Sequence, residues 1–154
     1  MIRLTGVSRS FTGRSGTVQA VQGIDLDVAE GEFVAVLGRS GCGKSTLLRM
    51  ISGLLATTAG EVHIAGERVR KPRRDIAMLF QRPALLPWRT VVDNVLLPAQ
   101  IFGWSRSAQR DRAHELLGLT GLAGFEKRLP HELSGGMQQR VALCRSLNAK
   151  PRVM

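Results

Sequence analysis

Apolar residues early in the chain fall into short extended groups, and those after Thr90 recur at helical spacing. Ile2 to Leu4 and Ile24 to Val28 each predict a strand. In the second, Ile24, Leu26 and Val28 alternate with Asp25 and Asp27, the period of a half-buried strand. EFVAVLG, with Phe33 to Leu37 at its centre, is apolar on consecutive residues, as expected for a strand buried on both faces of a parallel sheet. Leu47, Leu48, Ile51, Leu54 and Leu55 predict a helix that TTAG closes. EVHIAG predicts a strand entering a turn at Gly66, and IAMLF a further buried strand. TVVDNVLLPAQIF, interrupted at Pro98, and SRSAQRDRAHELLGL predict helices. A last helix, from about Gly135 to Asn148, puts Met137, Val141 and Cys144 on one face. The closing PRVM begins another apolar strand. Strands, a helical block and a strand again indicate an α/β core carrying a helical insertion.

A length of 154 residues suits one domain with a real core. The chain is 44% hydrophobic and 22% charged, ordinary for a globular protein, and has no apolar run of membrane-spanning length. The start, MIRLTGVSRS, lacks the apolar stretch of a secretory signal, so a cytoplasmic location is expected. The net charge of +10 leaves nucleic acid, an anionic membrane surface or a phosphate ligand open as partners. RVRKPRR, Arg68 to Arg74, is the densest basic cluster and reads as a solvated loop. No aromatic or helix-turn-helix signature accompanies it, so no nucleic-acid partner is expected. Cys42 and Cys144 form no CxxC or Cys/His pattern and read as small apolar fillers rather than a disulfide or zinc site. His63, His114 and His131 read as structural, solvated or capping residues.

VLGRSGCGKST changes the picture. It carries Gly38-x-x-x-x-Gly43-Lys44-Ser45, the phosphate-loop pattern, between an apolar strand pattern and an amphipathic helix pattern. A triphosphate wrapped by backbone N–H groups requires residues without Cβ where the chain comes close. Gly38, Arg39, Ser40, Gly41, Cys42 and Gly43 form the loop, and the helix beginning near Lys44 aims its unpaired N–H groups at the same anion. Lys44 is the charge for the β- and γ-phosphates, and Ser45 the hydroxyl for Mg²⁺. LSGGMQQR, Leu133 to Arg140, is a second such site: Ser134 is a good N-cap, and Gly135 and Gly136 leave first-turn N–H groups unshielded. An ordinary capped helix fits the same residues, but less well in a chain that already holds a phosphate loop.

With these motifs in this order, and LFQ between them, the chain resembles the ATP-binding subunits of ABC transporters, whose LSGGQ-type signature it matches with Met137 in place of Gln. MLFQRPALLPWRTVVDNVLLP looks most like the import subunits for nitrate, sulfonate and taurine. The resemblance implies a RecA-like P-loop core with an N-terminal antiparallel β subdomain and a helical insertion. It divides the chain at about residues 1–81, 82–140 and 141–154, in the layered manner of α/β domains. It implies that Phe11 stacks on adenine, Thr46 reaches the α-phosphate, and Gln81 touches Mg²⁺ and the attacking water. Ser134, Gly135 and Gly136 would contact the γ-phosphate of ATP held by an opposite subunit, in a head-to-tail homodimer with ATP sandwiched. Lys44, Gln81 and Ser134 would then be the catalytic set, with ATP and Mg²⁺ as cofactors. Implied partners are a transmembrane permease, for which ALLPW offers part of a groove, and indirectly an external substrate-binding protein. The implied place is the inner face of the cell membrane.

Hydrolysis of this type needs two further carboxylates, which the family carries at the end of the strand following the signature helix. No Asp or Glu follows Glu132. The chain is therefore expected to be the front portion of a longer protein, inactive and marginally stable by itself, because a buried parallel sheet without that strand exposes edge and face. Two alternatives remain: a non-catalytic nucleotide-binding module, and an ABC protein associated with nucleic acid.

Overall fold

The alternating pattern around Ile24 extends well beyond its apolar residues. In the computed structural model, which describes residues 1–14 and 16–154, β1 (Ile2–Gly13) and β2 (Gly16–Val28) form a long antiparallel ribbon. Ile2 lies opposite Val28, and Phe11 opposite Val18. The register shifts between Leu4 and Val7 and again around Arg9, and side chains answer the main chain there. The Gly6 N–H donates to Asp25 Oδ1 at 2.7 Å, and the Gly23 N–H to Ser8 Oγ at 2.8 Å. β3 (Ala59–Ile64) pairs with the other side of β1, and the short β4 (Glu67–Arg68) follows through the Ala65–Gly66 turn. The sheet order is β2-β1-β3-β4, antiparallel throughout. One face packs Leu4, Val7, Val21 and Val62 against Leu47 and Met50 of α1 (Lys44–Ile51).

These elements make up one unit, Met1–Arg73, and Arg74–Met154 forms a second. In the second, α2 (Val91–Val95), α3 (Leu97–Phe102), α4 (Arg106–Leu119) and α5 (Gly135–Asn148) pack as helices, with a 3₁₀ turn at Pro130–Glu132 before α5. Thr90, Ser105 and Ser134 cap α2, α4 and α5, each side chain accepting from the backbone N–H three residues on. The break between α2 and α3 falls at Leu96, two residues ahead of Pro98, whose missing N–H cannot continue the ladder. Val91, Val95, Leu96, Ala113, Leu117, Leu122, Val141 and Cys144 form the core. As expected, Val141 and Cys144 are fully buried, with Met137 packed alongside.

Three expectations require correction. Phe33 to Leu37 is not a buried strand: Phe33 is 93% and Leu37 89% exposed. Among the described residues no strand pairs with it, so its N–H and C=O groups find no ladder. Ile76 to Phe80 likewise pairs only at one parallel bridge, Ile76 with Val153, and Leu79 and Phe80 are exposed. Helix α1 stops at Ile51 rather than near Leu55, because Ser52 caps it and Gly53 turns left-handed at φ +75°. A Cβ on Gly53 would lie 2.4 Å from the Lys71 carbonyl oxygen, so the chain leaves the helix under close backbone contact.

Burial separates neighbouring leucines sharply within α4. Leu117 is fully buried, whereas Leu119 is 76% exposed on the same helix. Leu117→Ala is expected to cost about 2–5 kcal/mol and Leu119→Ala less than about 0.5 kcal/mol, measured by urea unfolding of the 154-residue chain.

Candidate functional site

The loop from Gly38 to Gly43 enters α1 without a side-chain cap: Gly43 is the N-cap residue, with φ +97°. Its glycine is required twice over. The left-handed backbone disfavours a side chain, and a Cβ would stand 2.3 Å from the carbonyl oxygen of Ala20 on β2. The loop therefore lies directly on the strand, and the first-turn N–H groups of α1 leave it pointing along the helix axis. No acidic residue occupies that first turn, so nothing negative competes for them.

Lys44 folds back over the loop. Its Nζ donates to the carbonyl oxygens of Gly38 and Arg39, both at 2.7 Å, and lies 3.5 Å from Cys42 Sγ. A Cβ on Gly38 would fall 2.7 Å from that sulfur, so Cys42 fills the space a side chain at Gly38 would need. Cys42 is exposed, in contrast to the buried filler expected, while Cys144 is buried and its thiol pKa is pushed up by burial. Ser45 is exposed and Thr46 half-buried at the start of α1. Gly41, Ser40 and Arg39 are exposed as well, leaving the loop open along its length. The residues read from the sequence as a polyphosphate loop are brought together here. The ammonium, the hydroxyl of Ser45 and bare amides stand within nine consecutive residues, from Gly38 to Thr46. Among the described residues no cluster of three His, Cys, Asp or Glu side chains forms a metal cage.

Phe11 stands on β1 at 42% exposure, with the Arg9 guanidinium 4.7 Å from its ring centroid. It is thus an open aromatic surface on the ribbon rather than a core residue.

In the second unit, Ser134 begins α5 in extended conformation, and its Oγ accepts from the Met137 N–H at 3.3 Å. Gly135 and Gly136 are exposed, have ordinary negative φ, and would meet nothing within 4 Å if a Cβ were added. Nothing among the described residues requires them to be glycine. The turn ahead of them is held by Glu132, whose Oε2 accepts from the Leu129 N–H at 2.6 Å and Oε1 from Arg128 Nη1 at 2.8 Å. The backbone N–H, and then the guanidinium, draw its carboxyl below the usual range.

Gln81 is exposed, and its main-chain oxygen accepts from Gln139 Nε2 on α5. The second unit therefore joins Gln81 to the helix that Ser134 caps, while Lys44, Ser45, Thr46 and Phe11 belong to the first. Sequence reasoning missed Asn94, Gln139 and Arg145, which hold the segment after Gln81. A signal was present: Asn94 interrupts the apolar run Val91 to Leu96, and Arg145 sits four residues from buried Val141.

A family model described as ABC transporter matches residues 21–154. The chain is 43% identical to the nitrate import ATP-binding protein of Synechocystis sp., over 99% of this chain and 58% of that one. It is 43% identical to the taurine import ATP-binding protein of Rhizobium johnstonii, over 100% and 59%. It is 42% identical to the methionine import ATP-binding protein of Bacillus subtilis, over 100% and 48%. The chain thus spans about half the length of these curated relatives. Among solved structures, the dimeric post-hydrolysis state of the ATP-binding cassette MJ0796 bound to ADP and Pi superposes with a TM-score of 0.89 at 36% identity, covering 98% of this chain and 71% of that one.

The glycines separate by experiment. Gly43→Ala should destabilise the chain by about 1–3 kcal/mol through strain and collision, whereas Gly136→Ala should leave urea stability unchanged or raise it by up to about 1 kcal/mol. Glu132 makes its contribution when ionised, so its hold on the turn is complete above the unfolded carboxyl pKa and is lost as pH falls through the lower folded value. The Leu129 amide resonance should therefore titrate with a midpoint below that of an ordinary glutamate.

Proposed function

This chain belongs to the ABC transporter family, and we propose that it is the nucleotide-binding part of an import ATPase that powers uptake of a small anion such as nitrate, a sulfonate or taurine. The observation that carries the nucleotide reading beyond the P-loop is the pair Gly135 and Gly136. Each costs helix stability relative to alanine, and neither relieves a steric conflict within the chain. Glycines of that kind are explained by close approach of something outside the chain to the amides they bear. A γ-phosphate held by a second cassette accounts for them, in a head-to-tail homodimer with two ATP molecules between P-loop and signature. The MJ0796 cassette, which resembles this chain over nearly its full length, is described as a dimer bound to ADP and Pi.

In this reading the amides from Gly38 to Thr46 and the Lys44 ammonium bind the phosphates, and Phe11 offers its exposed ring to adenine. Ser45 and Gln81 would hold Mg²⁺, which when bound neutralises charge developing on the transferred phosphoryl group. Gln81 orients the attacking water, and Ser134 with the amides of Gly135 and Gly136 meets the γ-phosphate from the opposite side. Turnover of this type also needs carboxylates that none of these residues supplies, so activity is read on the full-length protein.

The permease partner fits the apolar segment Ala84 to Trp88, whose Trp88 is exposed. Among the described residues no helix is long and apolar enough to cross a membrane, so attachment at the inner face would run through that partner. The solute reading rests on likeness to the nitrate and taurine subunits, although the methionine subunit is almost as similar.

Lys44→Ala should abolish Mg-ATP binding by the chain. Ser134→Ala in the full-length protein should leave binding within about twofold while slowing hydrolysis roughly 10²- to 10³-fold, the scale of one lost transition-state donor. Equal loss of binding in both variants, measured by calorimetry and phosphate release, would refute the assignment of Ser134 to a partner's nucleotide.

A further inference from the structure

From Gln81 to Arg89 the chain belongs to no helix or strand, so side chains answer its main-chain groups. Asn94 holds the far end to α2. Its Oδ1 accepts from the Leu86 N–H at 2.8 Å, and its Nδ2 donates to the oxygens of Leu86, Arg89 and Thr90 at 3.0–3.1 Å. The near end is held by α5. Gln139 donates to the Gln81 oxygen, and the Arg145 fork donates through Nη2 to Pro83 O and through Nη1 to Ala84 O, both at 2.9 Å. Gln139 and Arg145 lie about 9 Å apart along the helix axis, so the turn is gripped at two points.

Ala84 has φ +46°, in the left-handed region that residues with a Cβ rarely adopt. The strained residue is thus the one whose carbonyl the guanidinium takes. The Arg145 side chain is half-buried, which draws its pKa down, and both its partners here are main-chain carbonyls rather than carboxylates. A cation placed at that cost to reach two adjacent carbonyls is doing more than filling space.

We propose that Arg145 is a positioning residue, whose fork holds the Pro83–Ala84 turn in its strained shape and so fixes the Gln81 side chain relative to the helix that begins at Ser134. This deepens the ATPase reading and rests on it. Any displacement of α5 then reaches Gln81 through a rigid connection instead of being absorbed in an irregular loop. Lysine does not substitute: a single ammonium on a flexible stem lacks the planar pair of donors that spans two successive carbonyls.

The test uses the full-length protein assembled with its permease and reads steady-state ATP turnover. Arg145→Lys should lower kcat about tenfold while leaving KM for Mg-ATP within about twofold, the scale of a residue that acts through another. Adding Ala84→Gly should recover most of that loss, because glycine adopts the left-handed turn without the clamp. An unchanged kcat in Arg145→Lys overturns the proposal, and so does any loss that Ala84→Gly fails to recover, which would leave Arg145 a merely structural residue. Failure of the unsubstituted protein to bind Mg-ATP would remove the ATPase reading itself, and is seen before any variant is made.

Discussion

Main chain that lies outside helix and sheet must still find hydrogen-bond partners, and that demand governs the parts of this molecule that matter for function. The carbonyls of Gly38 and Arg39 are met by the Lys44 ammonium. Those of Gln81, Pro83, Ala84, Leu86, Arg89 and Thr90 are met by Gln139, Arg145 and Asn94. The turn before α5 is met by Glu132 and by Gln138, whose Nε2 donates to Pro130 O at 2.9 Å. In each place an irregular segment is shaped by a few polar side chains. The same side chains thereby decide where bare N–H groups and exposed side chains are presented.

The two glycine motifs look alike in sequence and differ physically. Around Gly43 the glycine is an internal necessity, forced by φ and by the Ala20 carbonyl. At Gly135 and Gly136 the surroundings are open, and the helix would gain from alanine. A fold constraint explains the first, and no such constraint acts on the second among the described residues. Covering a partner's triphosphate with exposed amides, as proposed, turns an apparent weakness in α5 into the feature that completes the site.

Much of this was legible from residue patterns. The limits of α5 follow from Ser134 as cap, and β3 with its Gly66 turn follows from alternation and turn chemistry. The glycine spacing marks the loop that enters α1, although the strand expected ahead of it is not formed. The misreadings share one cause. Apolar runs report what a segment would bury, not whether a neighbour is present to bury it. Phe33 to Leu37 and Ile76 to Phe80 carry the residues of central strands, yet among the described residues the first is assigned no strand pairing and the second only the Ile76–Val153 bridge. Polar ties were invisible for the opposite reason: Arg145 and Asn94 contact residues 61 and 8 positions away, a separation no local period encodes.

The Lys44 ammonium already has two neutral oxygen partners, so the arrival of a polyanion at this loop is an exchange of ligands rather than a first encounter. On the proposed reading the lysine would act as a latch: shut, it ties the oxygens of Gly38 and Arg39 together, and a bound phosphate would take their place on the ammonium.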